Sequence, residues 1–80
     1  MSDRDKNMIT LMKLISAETT SAFNKIQCLH ALLKYEPNPQ NIYYGFALSE
    51  LRKIRDNPDL DASTRRLAID EIENFSIKEK

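Results

Sequence analysis

The sequence predicts an all-α fold, a small helical bundle. Apolar residues recur at helical spacing in every segment. No stretch alternates apolar and polar residues as a strand would, and no hairpin-turn signal appears. The three prolines, Pro37, Pro39 and Pro58, all fall between segments, where they end helices rather than break them.

The first predicted element is a long helix over about 3–35, roughly 50 Å in length at 1.5 Å per residue. Met8, Met12, Ile15, Thr19, Ala22, Ile26, Leu29 and Leu33 follow one another in alternating steps of four and three. That spacing lays them along one seam of a helix, and no Gly or Pro interrupts it. Ser2 precedes Asp5 at capping-box spacing, so the helix is expected to begin at Asp3. The alternative is a break near 18–21. Glu18-Thr19-Thr20-Ser21 combines mediocre helix formers with good N-caps, and a break there would give a four-helix up-and-down bundle. Ile9, Leu11, Leu14, Phe23 and Leu32 flank the seam. The apolar face is therefore wider than a two-stranded coiled coil needs and suits packing against two or more neighbours.

Glu36-Pro37-Asn38-Pro39 ends this element, because the residue before each proline is driven toward extended geometry. Asn38 reads as the N-cap and Pro39 as the first residue of a helix over about 39–56, burying Tyr44, Ala47, Leu48, Leu51 and Ile54. A last helix over about 61–76 is expected to bury Ala68, Ile69, Ile72 and Phe75. No repeat, low-complexity tract or interdomain linker appears, so residues 1–80 read as one helical domain, near the lower size limit for an unstapled core.

Chemistry is sparse. A single cysteine, Cys28, excludes an internal disulfide, and one cysteine cannot build a zinc site. His30, the only histidine, lies about 200° around a helix from Cys28, so the two cannot share a metal or act as nucleophile and base. Asp70, Glu71 and Glu73 read as a solvated face. Gly45 is the only glycine, which leaves no glycine-rich phosphate loop. No catalytic residue, cofactor or metal is expected, and the chain reads as a non-enzyme. It has no apolar run of membrane-spanning length, and its N-terminus lacks the apolar core of a secretory signal, so a cytoplasmic location is expected.

Two surfaces stand out. Ile42 and Phe46 are four residues apart on the side of their helix opposite Ala47 and Leu51, and Tyr43 widens the patch, as suits a protein interface. Arg52, Lys53, Arg55, Arg65 and Arg66 crowd around the turn between the last two helices. The segment from Pro58 to Ile72 resembles the recognition half of a helix-turn-helix DNA reader, which implies that Ser63, Thr64, Arg65 and Arg66 face phosphates and base edges. A net charge of zero gives no general attraction to nucleic acid, and the nearby acids offer these arginines other partners. Leu11-Met-Lys-Leu14, Lys34-Tyr-Glu36, Tyr43-Tyr44 and Glu50-Leu51 follow the order of landmarks in the haemolysin-modulating family, which the chain resembles in that respect. The first two landmarks depart from the family's spacing by about one helical turn, and the C-terminal region does not match. The resemblance implies a small helical regulator that binds a nucleoid protein.

The expected function is that of a small regulatory protein binding a partner protein through helix faces, and self-associating as a homodimer. A DNA-binding module using 52–66 and an immunity- or antitoxin-like bundle are the alternatives.

Overall fold

Ser2 opens the first helix as its sequence suggests, its hydroxyl accepting the Asp5 N–H at 3.2 Å. The structure, a computed structural model, describes residues 2–76. Within them the chain forms α1 (Asp3–Ser16), α2 (Ala22–Tyr35), α3 (Ile42–Asp56) and α4 (Ala62–Ser76), with no strands among the described residues.

The long helix over 3–35 does not form; the chain breaks over 17–21. Ser21 supplies the physical reason, its Oγ accepting the Asn24 N–H at 3.2 Å, a bond available only where a helix starts. Breaking also lets α1 fold back, so that Met8 and Ile15 are buried beside the α2 residues Ile26, Leu29 and Leu33. Thr19, the one polar member of the seam, sits exposed in the turn. Ser21→Ala is expected to remove about 1 kcal/mol. For a domain of this size that is a fall of about 4–8 °C in Tm, readable by thermal circular dichroism.

The start of α3 also differs from expectation. Asn38 does not cap it; its Oδ1 accepts the Gln40 N–H at 3.0 Å in a local turn that holds Pro39 outside the helix. Asn41 is the cap instead, its Oδ1 accepting the Tyr43 N–H at 2.9 Å. The expected face of α3, Tyr44, Ala47, Leu48, Leu51 and Ile54, is buried throughout. On α4, Ala68, Ile72 and Phe75 are buried, but Ile69 is not, because α4 packs only with α3 and α2 and Ile69 lies on its far side.

Helices α1 and α2, and likewise α3 and α4, form antiparallel hairpins. Arg4, at the start of α1, donates from Nη2 to the Tyr35 carbonyl at the end of α2 at 3.1 Å. Tyr44, at the start of α3, donates from its hydroxyl to the Phe75 carbonyl at the end of α4 at 2.7 Å. Among the described residues α1 packs on α2 alone, whereas α2 packs on all three other helices.

The two hairpins follow one backbone plan, a repeat of layout that the sequence reading missed. Ala22 and Ala62 open their second helices 40 positions apart, after loops over 17–21 and 57–61. The loop bonds recur at the same offset. Ala17 N–H donates to the Leu14 carbonyl at 3.3 Å, Thr20 to Ala17 at 3.2 Å and Lys25 to Ser21 at 2.8 Å. Their counterparts are Asn57 to Ile54 at 3.3 Å, Leu60 to Asn57 at 3.3 Å and Arg65 to Asp61 at 3.1 Å. The caps correspond too: Ser21 serves α2, and Asp61 takes the Thr64 hydroxyl and backbone N–H at the start of α4. The Thr64 hydroxyl hydrogen bond, chiefly, holds the Asp61 carboxyl below its ordinary pKa. Arg4–Tyr35 and Tyr44–Phe75 are the same long-range contact made twice.

Candidate interaction surfaces

The apolar patch expected at the start of α3 is divided. Ile42 stands clear at 80% exposure, while Tyr43 and Phe46 lie half-buried against the core. Ile42 alone therefore projects fully into solvent at this site.

The basic cluster is largely engaged with its neighbours. Lys53 Nζ pairs with Glu50 at 3.2 Å, one turn back on α3. Arg55 forks onto Asp56, Nε to Oδ1 at 2.7 Å and Nη2 to Oδ2 at 2.9 Å. That hydrogen bond is the main reason the Asp56 carboxyl titrates below its ordinary range and the Arg55 guanidinium above its own. Arg65 donates from Nε to the Arg55 carbonyl at 2.9 Å, satisfying the exposed C-terminal end of α3. Thr64 donates to Asp61, and Ser63 is exposed. Arg52 and Arg66 carry no ion pair among the described residues and point to solvent. The antiparallel, side-by-side arrangement of α3 and α4 differs from the steep crossing of a helix-turn-helix pair.

His30 has a partner the sequence did not reveal. Its Nδ1 lies 3.0 Å from Glu71 Oε2 and 3.1 Å from Oε1, and its ring meets Phe75 edge-on at a 6.1 Å centroid distance. The contact joins α2 to α4, hence one hairpin to the other. Glu71 thus leaves the solvated acidic face of α4 to make an interhelical contact.

The repeat exposes the most informative surface. In the second hairpin, the face carrying Leu51, Ile54, Ala68 and Phe75 is covered by α2. Counting back 40 positions, the same face of the first hairpin carries Leu11, Leu14, Cys28 and Tyr35. Nothing among the described residues covers it. Ile54 is 7% exposed but Leu14 44%, and Phe75 is 2% exposed but Tyr35 54%. Leu11 and Cys28 are half-buried where Leu51 and Ala68 are sealed. A groove lined by Asn7, Thr10, Leu11, Ala31 and Tyr35 runs along it. Arg4 closes one end, tied to Glu36 and to the Tyr35 carbonyl.

The opposite face of the molecule has the reverse character. Ile15, Ile26 and Leu33, buried toward the second hairpin, become Arg55, Arg66 and Glu73 one repeat later. Ile69, the counterpart of Leu29, keeps a large apolar side chain there at 42% exposure, and Ala62, the counterpart of Ala22, a small one. The arginines of the basic cluster partly occupy these positions, so the second hairpin presents a polar, closed face and the first an apolar, open one. Comparison of the chain with known protein families, curated proteins and solved structures gives no match.

The repeat left one readable signal: Ser21-Ala22 and Asp61-Ala62, each a capping residue followed by alanine, at a 40-residue spacing. The replacement of isoleucine and leucine by arginine and glutamate on the closed face hid the rest.

Proposed function

We propose that this chain is a small, non-enzymatic regulatory protein of the cytoplasm that binds a partner protein through helix faces and self-associates. The observation that supports the reading is the open face of the first hairpin, whose repeat-related counterpart is packed as core. A face of that type in solvent leaves apolar area whose burial on binding is favourable, at about 25 cal/mol per Å² before the costs of association. Among the described residues no three His, Cys, Asp or Glu side chains converge, and no helix is long and apolar enough to cross a membrane. Ile42 offers a further apolar point of contact at the start of α3.

Capture from host cells with tagged full-length chain, run beside the Leu14→Glu, Tyr35→Glu double variant, tests the reading. A protein bound stoichiometrically by the first and lost with the second is the expected result. Equal recovery by both counts against the open face. Retention on DNA that weakens steeply with salt and disappears in Arg65→Ala, Arg66→Ala would replace this reading with the nucleic-acid one.

A further inference from the structure

Within this molecule the repeat shows what kind of surface covers such a face: α2 lays a helical apolar stripe across the second hairpin. We infer that the open face of the first hairpin is covered by the same face of a second copy, in a closed two-fold dimer. The inference rests on the reading of the chain as one that works through helix faces.

The reasoning turns on what a second copy can present. Its α2 stripe is already buried in its own core. The repeat equivalent of that stripe on α4 carries Arg66 and Glu73 where α2 has Ile26 and Leu33. Stacking copies head to tail would bury those charges against a face with no charged side chain to pair them, which is unfavourable. The open face itself has no such obstacle. Asn7, Thr10, Leu11, Leu14, Ala31 and Tyr35 include no charged side chain, so two copies meet there without like-charge repulsion. Arg4, the charge closest to the groove, is already neutralised by Glu36. Asn7 and the Tyr35 hydroxyl give the face donors and acceptors, while the Thr10 hydroxyl, which donates to the Lys6 carbonyl at 2.9 Å, can only accept. A surface that meets its own copy about a two-fold axis closes on itself and stops at a dimer.

Sedimentation equilibrium of the full chain in the micromolar range is expected to show twice its 9.3 kDa mass. Leu14→Glu and Tyr35→Glu each change a side chain that is exposed in the single chain, so helical circular dichroism should be retained. Each should weaken dimerisation by roughly thirtyfold or more, the scale of an interface centre. Ile69→Glu, on the closed face, should leave the dimer intact. Cys28 gives a readout that needs no variant, since it lies seven positions before Tyr35 on the same side of α2. Its reaction with a thiol reagent should slow as protein concentration rises. A monomer with concentration-independent labelling would overturn the inference while leaving a foreign partner for this face open to the capture experiment. A dimer that survives both open-face variants but is lost with Ile42→Glu would also overturn it, placing the contact at the start of α3 instead.

Discussion

Leu29→Ala is expected to destabilise the chain by about 2–5 kcal/mol, the range for a fully buried leucine whose surroundings cannot collapse onto the space left. Leu29 has no exposure and sits on α2, the one helix that packs on all three others, so a void there loosens both hairpins and the joint between them. An 80-residue chain carries a total stability of only about 4–12 kcal/mol. The loss should therefore lower Tm on the order of 10–30 °C in a thermal melt. Leu14→Ala removes the same atoms from an exposed site and should stay within about 0.5 kcal/mol of wild type. Equal shifts in the two variants would contradict the position of α2 at the centre of the core.

Arg66→Ile combined with Glu73→Leu should convert a dimer into a larger assembly. With Ile69 already in place, the two substitutions give α4 the stripe that Ile26, Leu29 and Leu33 form on α2. The outer face of the second hairpin would then match the open face of the first hairpin in another copy. That contact joins unlike surfaces, so it continues from copy to copy into a larger ring or a filament. Sedimentation velocity should show species that grow with concentration beyond a dimer, and adding Leu14→Glu should suppress them. If the double variant remains no larger than wild type, the two faces are not equivalent in the way the repeat implies.

The helical class and the α3 face were legible because period and burial coincide there: Tyr44, Ala47, Leu48, Leu51 and Ile54 lie on one side and are all covered. Of the two readings of the first segment, the break near 18–21 is the one that forms, and the continuous helix is favoured from sequence because the seam keeps phase across Thr19. A five-residue loop happens to restore helical register, so periodicity carries no trace of the reversal, and only the capping chemistry of Ser21 marks it. Asn38 and Asn41 compete for one cap, and only the local turn at Asn38 decides between them. For the candidate surfaces, sequence found the arginines but not that Arg55 and Arg66 stand where the first hairpin has buried isoleucines. It flagged Ile42 and read Leu14 as a flank of an over-wide seam, but gave Tyr35 no surface role, because that emerges only from comparison with Phe75 across the repeat. Hydrophobicity alone cannot distinguish a leucine whose cover lies within the chain from one whose cover lies elsewhere.

The pairing of Arg4 with Tyr35 and of Tyr44 with Phe75 also bears on how the chain acquires its structure. Both contacts close within a single hairpin, and only the packing of α2 on α3 and α4 joins one hairpin to the other. Each contact spans 31 residues yet stays within one helix–loop–helix unit, and helical chains built mainly from contacts near in sequence are expected to fold in microseconds to milliseconds. α2 belongs to the first hairpin and covers the second. The two hairpins therefore complete each other's core only when α2 is seated on α3 and α4.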